Sequence, residues 1–395
     1  MSDFTADNIK KLLSDYLELC ESATNRGNAD YWSNSREPWL IERWRGISAR
    51  RSSPPFTMAL DIAGYATVLG IECEPYYADV AAQLHEQLRY HLWEAANFKC
   101  NRFFDKTVFV SFGACYAASL FGAEIEFPPG QAPWVNMKDP LIRSRSDLHR
   151  MQQIELDRHG LGRRAHDFYL RMCELTNDTD ITVMYPCIIR GPFSLATQLR
   201  GTTNLLMDII DAPAFVHDLM HRITDGLKRH ARLRAEFTKE PIAPSKLFND
   251  EIGTPMISRG MYEEFILPYE LDLAEFHGRV YYWHSCGITD DFYELVSTLP
   301  ALEMMHVGPW SDLARAVEVF GKTDTALDIC VNATDDVYDR TPDEMRRKLQ
   351  SIREICEGKV RYAVRADGFQ IVRSVAEDLA SIRSWNEAAL DVFAV

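Results

Sequence analysis

The feature that most constrains the fold is an alternation of short apolar runs with amphipathic segments, which begins near residue 105. Each run is rich in β-branched or aromatic residues and has the length of one buried strand. Seven such runs are recognisable: Thr107–Ser111, Ile181–Tyr185, Lys246–Asn249, Val280–Trp283, Leu302–Val307, Thr325–Ile329 and Val360–Val364. Strands that alternate with helices form parallel β/α units.

The segments between these runs have helical spacing. Tyr262, Phe265, Ile266, Tyr269 and Leu273 fall on one helical face, and so do Leu313, Ala316, Val317 and Phe320. The stretch Thr341–Glu344 has the N-cap residue, first-turn proline and capping-box glutamate of a helix start. We therefore predict an α/β fold, a (β/α)8 TIM-type barrel whose eighth strand the sequence does not identify. An open doubly wound sheet is the alternative, but no glycine-rich phosphate fingerprint follows the first strand.

The first hundred residues have a different pattern. They are predicted to be mostly helical, as the apolar spacing from Asp79 to Leu92 indicates, with a proline-rich loop at Arg50–Pro55. We therefore predict an N-terminal region of residues 1–104 packed on the barrel and a catalytic barrel of residues 105–395.

Composition restricts the partners. The formal net charge is −15, which argues against nucleic acid or an anionic membrane as a partner, since both are polyanions. No run of 18 apolar residues and no N-terminal secretory pattern is present. The nine cysteines are an odd number without scaffold spacing, which indicates reduced thiols. We expect a cytoplasmic enzyme that acts on a small molecule.

Side chains able to bind a metal or transfer a proton stand at the carboxyl ends of several predicted strands, where β/α barrels place their catalytic groups. They are Asp250, Glu251, His284, Cys286, Cys330 and Asp367. His284 and Cys286, two residues apart, point to the same side. Imidazole, thiolate and carboxylate are zinc ligands, and a catalytic zinc site keeps one position open. His-x-Cys is a short motif, however, and a lone buried cysteine such as Cys330 more often packs in a core.

Four further residues are candidates with a structural alternative. His306 ends its strand as a potential acid or base. Arg365 is placed to bind an anionic substrate group or to form an ion pair with Asp367. Tyr185 and Trp310 would line an apolar substrate pocket or belong to the core.

Several segments after residue 190 resemble the uroporphyrinogen decarboxylase superfamily, and especially its corrinoid-linked zinc methyltransferases. In chain order they are Arg190–Phe193, Gly201–Leu206, Asp211–Pro213, Ile257–Ser258, Tyr262–Phe265, Pro268–Tyr269 and His284–Gly287, with a weaker match at Gly122–Phe127. The resemblance implies a (β/α)8 barrel, which agrees with the strand pattern.

The resemblance also bears on the chemistry. The decarboxylases carry an aspartate after the first barrel strand, and Gly113 stands at that position here. Arg36–Trp39 through Arg45–Gly46 does not reproduce their N-terminal arginine motif. Both departures disfavour porphyrinogen decarboxylation, whereas the His-x-Cys of His284 and Cys286 is expected in the methyltransferases.

The resemblance therefore implies a zinc-dependent methyltransferase. It would move a methyl group between a small methylated substrate and the cobalamin of a separate corrinoid protein, because no cobalamin-binding segment is visible in this chain. The alternatives are a decarboxylase-like lyase acting on a carboxylated substrate and a metal-binding barrel that only sequesters a ligand. The identity of the substrate, the direction of transfer and the formation of a homodimer are left open.

The implied zinc site begins with His284 and Cys286. The methyltransferases take a third ligand from a cysteine in the loop after the last clear strand, where Asp367 stands here. We prefer Cys330 as the third ligand, because thiolate is the softer donor, and keep Asp367 as the alternative. Glu251 is the candidate for a displaceable fourth ligand or a catalytic group. Asp250 is predicted to act in catalysis or to orient a ligand.

Overall fold

A computed structural model describes residues 4–32, 47, 53–158 and 160–393 of the chain. Its strands are β1 (Phe56–Leu60), β2 (Thr107–Phe109), β3 (Ile125–Glu126), β4 (Trp134–Val135), β5 (Thr182–Met184), β6 (Ser245–Phe248), β7 (Val280–His284), β8 (Met304–Val307), β9 (Ala326–Cys330) and β10 (Tyr362–Phe369). Its α-helices are α1 (Ala6–Glu21), α2 (Ala23–Ala29), α3 (Ile62–Leu69), α4 (Cys73–Ala78), α5 (Val80–Asn97), α6 (Tyr116–Leu120), α7 (Gly160–Thr176), α8 (Pro192–Arg200), α9 (Thr202–Asp211), α10 (Pro213–Thr238), α11 (Arg259–Phe265), α12 (Leu267–His277), α13 (Tyr293–Val296), α14 (Leu313–Phe320), α15 (Pro342–Cys356) and α16 (Val375–Phe393).

All seven predicted strands are confirmed, and the structure adds three that the sequence did not identify, β1, β3 and β4. Strand β1 lies within the stretch predicted to be mostly helical and pairs with β10, with Phe56 opposite Val364. The N-terminal arginine segment, residues 36–46, lies outside the described residues, as does the beginning of the predicted loop at Arg50–Pro55.

The main sheet has six strands in the order β1–β10–β9–β8–β7–β6. Four pairs of neighbouring strands have a defined register, β1–β10, β10–β9, β7–β8 and β6–β7, and all four are parallel. Strands β2 and β5 form a second sheet, and β3 and β4 form an antiparallel hairpin. Arg190 forms a parallel bridge to Phe248 and so extends the pairing beyond β6. In a parallel sheet the carboxyl ends of neighbouring strands lie at one edge, so residues after β6 and β7 are brought together.

The chain forms two compact units, and the boundaries between them fall within β2, within α7, after β5 and within β8. Unit 1 comprises Met1–Val108, Met172–Met184 and His306–Val395. Its core includes Phe56 of β1, whose ring centroid lies 6.3 Å from that of Trp385 in α16. Burial of such aromatic pairs is a large apolar contribution to stability.

Unit 2 comprises Phe109–Arg171 and Tyr185–Met305. Helix α8 is buried along its whole length, and the rings of Tyr262 and Phe292 stack at 5.0 Å. The continuous helical face predicted from Tyr262 to Leu273 is divided between α11 and α12 at Ile266. Pro268 in the first turn of α12 explains the break, because proline lacks the N–H that a continuous helix needs.

The start of α15 has the predicted capping box. The Thr341 hydroxyl accepts from the Glu344 N–H, and the Glu344 carboxylate accepts from the Thr341 N–H at 2.9 Å. Among the helices of the described residues, none is both long and apolar enough to cross a membrane.

Candidate metal centre

The candidate centre is built by the carboxyl ends of β6 and β7 in unit 2. Phe248 of β6 is opposite His284 of β7, and the Asn249 N–H donates to the His284 carbonyl at 2.7 Å. This register places Asp250, two residues after β6, beside the imidazole. Cys286 follows His284 by two residues and joins the same group.

The three donor atoms are close together. Asp250 Oδ1 lies 3.2 Å from His284 Nε2, Nε2 lies 3.3 Å from Cys286 Sγ, and Sγ lies 3.5 Å from Oδ1. Tetrahedral zinc with ordinary bond lengths requires separations of about 3.3 Å between nitrogen and oxygen and about 3.5 Å from sulfur to either. The donors therefore already have the spacing that a tetrahedral zinc ion needs.

Arg190 fixes the orientation of the carboxylate. Its side chain is 4% exposed, with Nη2 3.1 Å from Asp250 Oδ2 and Nη1 3.1 Å from Glu251 Oε2. Burial raises the pKa of Asp250, but the hydrogen bond with His284 and the charge of Arg190 outweigh burial and leave that pKa below its usual value. Because Oδ2 is held by Arg190, Oδ1 is the oxygen that faces the imidazole and the thiol.

The loops after β6 and β7 are joined closely. A Cβ on either Gly253 or Gly287 would lie 2.8 Å from the Cα of the other, so neither position has room for a side chain. The Thr254 N–H donates to the Ile288 carbonyl at 3.0 Å, and the Ser285 hydroxyl donates to the Ile252 carbonyl. These contacts hold the backbone of Cys286 against that of Asp250.

A buried carboxyl group supports both strand ends from behind. Glu270 of α12 is fully buried and accepts hydrogen bonds from Tyr262 Oη at 2.5 Å, Asn249 Nδ2 at 2.7 Å and Trp283 Nε1 at 3.1 Å. Burial raises its pKa to about 7, although the three hydrogen bonds oppose the rise. Asn249 directly precedes Asp250, and Trp283 directly precedes His284. Through these two hydrogen bonds Glu270 fixes the neighbour of each of these two metal-binding candidates.

The structure thus brings together His284, Cys286 and Asp250 from the predicted site. In the described part of the chain these three form the group of His, Cys, Asp and Glu side chains able to hold a metal ion. Asp250 was predicted to act in catalysis or to orient a ligand, and its direct contact with the other two donors was not foreseen. Glu251 does not belong to this group and instead forms an ion pair with Arg190.

Cys330, Asp367 and Arg365 lie together in unit 1. Cys330 Sγ is 3.7 Å from Asp367 Oδ1, and Arg365 forms ion pairs with Asp367 at 2.5 Å and with Asp328 at 3.2 Å. Burial raises the pKa of the Cys330 thiol. The roles of Cys330 or Asp367 as a further ligand, and of Arg365 in substrate binding, stay predictions.

The other predicted residues have varied surroundings. His306 is buried in β8, and the side chain of Trp310 is 57% exposed. Tyr185 is buried, with its hydroxyl 3.2 Å from His166 Nδ1 and its ring 5.2 Å from that of Phe237. Their roles in catalysis or substrate binding stay predictions.

Sequence reasoning missed two residues that organise the centre. Arg190 was noticed only as part of a helix-entry segment, although an arginine just before Gly191-Pro192 at the end of a strand segment is a usable signal. Glu270 gave no local signal, because it is one of many acidic residues on helices and only its burial distinguishes it.

Three comparisons with known proteins bear on the fold and family. The structure is similar to a methyltransferase from Methanosarcina mazei, with a TM-score of 0.62 and 14% sequence identity over 85% of this chain and 94% of that chain. No protein with a curated description matches the sequence. The family model described as Uroporphyrinogen decarboxylase (URO-D) matches residues 100–370, more than half of the chain. The fold of that family is a TIM barrel, and the predicted α/β class is confirmed. The chain belongs to the uroporphyrinogen decarboxylase family.

Proposed function

We propose that the chain is a zinc-dependent methyltransferase that moves a methyl group between a small-molecule substrate and the cobalamin of a separate corrinoid protein. The observation that carries the proposal is the convergence of imidazole, thiol and carboxylate within 3.5 Å of one another. The fold shared with a protein named as a methyltransferase supports the same reaction class.

The donor set is suited to zinc. One nitrogen, one sulfur and one oxygen donor match the borderline-soft character of this ion, and three protein ligands leave a fourth position for substrate. Zinc, when bound, supplies Lewis acidity that lowers the pKa of a coordinated thiol or polarises a methyl-bearing oxygen, sulfur or nitrogen. Glu251, Cys330 and Asp367 remain proposed as further ligands.

Residues around the three donors orient them for metal binding. Arg190 neutralises one oxygen of Asp250 and directs the other towards His284 and Cys286. Cys286 is exposed, so the proton that its thiol loses on binding a metal can pass directly to solvent. The linked glycine loops fix the backbone on which these donors stand, and this reduces the rearrangement required for binding.

Removal and return of the metal test the proposal. Purified protein would be stripped with a chelator, reloaded with zinc and assayed for methyl transfer to cob(I)alamin from methylated oxygen, sulfur and nitrogen compounds. We expect activity to disappear with the metal and to return with zinc. Full activity of the stripped protein would contradict the proposal.

A matched pair of variants links the activity to the site. Cys286→Ser is expected to abolish both zinc binding and transfer, because serine replaces the thiolate by a poor ligand. Cys73→Ser, at the start of α4 in unit 1, is the control and should retain both. Equal activity of the two variants would remove Cys286 from the mechanism.

A further inference from the structure

Arg164 of α7 lies among three aromatic rings in unit 2. Its guanidinium carbon is 5.3 Å from the ring centroid of Phe127, 5.6 Å from that of Phe112 and 5.7 Å from that of Phe168. The side chain is half-buried, and burial lowers its pKa. The protein therefore keeps a cation partly out of water in mainly apolar surroundings.

This arginine differs from the other arginines that the fold withdraws from solvent. Among the described residues, five buried arginines each form an ion pair with a carboxylate: Arg102 with Glu94, Arg190 with Asp250, Arg200 with Asp208, Arg234 with Glu240 and Arg365 with Asp367. Within residues 4–32, 47, 53–158 and 160–393, no ion pair or hydrogen bond is found for Arg164. The half-buried Arg164 side chain therefore has no carboxylate partner among the described residues and is open to an anionic ligand.

The rings satisfy only part of what a guanidinium requires. Cation–π contacts attract the guanidinium to the ring faces, but an aromatic ring is no substitute for the oxygen acceptors that the five N–H donors of arginine need. A planar oxyanion supplies two such acceptors to one guanidinium in a bidentate arrangement. With one arginine in the ring cluster, a monoanionic carboxylate balances the charge better than a phosphate dianion.

The position of Arg164 connects it to the metal centre through one hairpin. Phe127 directly follows β3, in which Glu126 is paired with Trp134 of β4. The ring of Trp134 lies 5.8 Å from the guanidinium carbon of Arg190, the residue that holds Asp250. Phe127 and Trp134 are 46% and 41% exposed, so solvent reaches both rings at the turn end of this hairpin.

We propose that Arg164, with Phe112, Phe127 and Phe168, binds the carboxylate group of a small-molecule ligand. The aromatic rings contact the apolar part of the ligand next to its carboxylate, and the guanidinium donates to the two carboxylate oxygens. The extension to catalysis, that the methylated substrate is a carboxylic acid, rests on the proposed function. The binding site itself does not.

The test is a titration of the whole protein with acetate, benzoate, benzamide and inorganic phosphate by isothermal calorimetry, in the presence of a chelator. Benzamide has nearly the shape of benzoate without its charge. We expect benzoate to bind at least about tenfold more tightly than benzamide, a difference of about 1.4 kcal/mol. Acetate should bind more weakly than benzoate, because it lacks the apolar body.

Variants assign the binding to Arg164. Arg164→Met should weaken benzoate binding at least about tenfold, and Arg164→Lys should weaken it less, because lysine keeps the charge but loses the planar fork. The control is Arg163→Met. Arg163 directly precedes Arg164 and is exposed, and its Nε lies 4.0 Å from Asp167 Oδ2. This control should bind benzoate as the unaltered protein does. Thermal unfolding of each variant checks folding. If Arg164→Met does not fold, the benzoate affinity of Arg164→Lys is compared with that of the unaltered protein instead.

Four results would overturn the proposal: no binding of acetate or benzoate at about 10 mM, equal binding of benzoate and benzamide, preference for phosphate, or unchanged benzoate affinity in both Arg164 variants. Binding that appears only when zinc is restored would place the carboxylate on the metal and overturn it as well. Because the titration needs no methyl transfer, a failure of the proposed function would leave its outcome unaffected.

Discussion

Glu270 provides a test of the buried support behind the metal centre. Its carboxyl group is fully buried and accepts three hydrogen bonds, yet burial raises its pKa from 4.5 to about 7. A carboxyl group with a raised pKa in the folded state binds a proton on folding between these two pH values. Its contribution to the free energy of unfolding therefore falls as the pH rises from about 4.5 to about 7, and the penalty is fully present above that range.

The size of the effect follows from the same values. Each pH unit of difference between folded and unfolded pKa corresponds to about 1.4 kcal/mol, so the full penalty is about 3 kcal/mol. Between pH 5 and pH 8, the free energy of unfolding should fall by about 2 to 3 kcal/mol because of this group alone. Glu270→Gln cannot ionise and should lack this component, although its amide disturbs the hydrogen bond from Asn249.

The assay is urea unfolding of the metal-free protein at several pH values, followed by far-UV circular dichroism. The difference in unfolding free energy between the unaltered protein and Glu270→Gln is the quantity of interest, because other titrating groups cancel in it. Glu275→Gln is the matched control, since Glu275 is on the same helix but exposed. Parallel curves for Glu270→Gln and the unaltered protein would refute the reasoning, because they would show that Glu270 titrates normally.

Three further predictions concern the centre itself. Asp250→Asn should lower zinc affinity at least about tenfold in a chelator competition, whereas Glu251→Gln should lower it less; the reverse order would make Glu251 the ligand. Gly287→Ala should destabilise the protein by about 1–3 kcal/mol and weaken zinc binding, because its Cβ would overlap Gly253. Gly260→Ala, where a Cβ meets nothing within 4 Å, is the control, and equal unfolding midpoints would show that the loops can separate. Cys330→Ser should weaken zinc binding if Cys330 is a ligand, and an unchanged affinity would exclude it.

Local patterns in the sequence determined much of the fold. The seven runs from Thr107 to Val364 became strands because β-branched and aromatic residues suit a buried pleated backbone. The capping box at Thr341 marked the start of α15 because it satisfies helix N–H groups with side chains close in sequence. Such signals are readable because their physical cause lies within a few residues.

Pairing between distant segments was decided only by the tertiary structure. Strand β1 belongs to the sheet because it pairs with β10, some 300 residues further along the chain. Its own five residues do not distinguish a strand from a short buried helical segment. Propensity gives no information about such long-range partners.

The site shows the same division. His284 and Cys286 were identifiable from a two-residue spacing at a strand end, which fixes their common direction. The sequence did not show whether Asp250 or Glu251 joins them. Adjacent residues point to different sides, and the register of β6 on β7 selects one of the two. Arg190, far from both in sequence, then holds the selected carboxylate in place. The sequence by itself determined which donors were available, whereas the strand register and the burial of a distant arginine decided which of them meet.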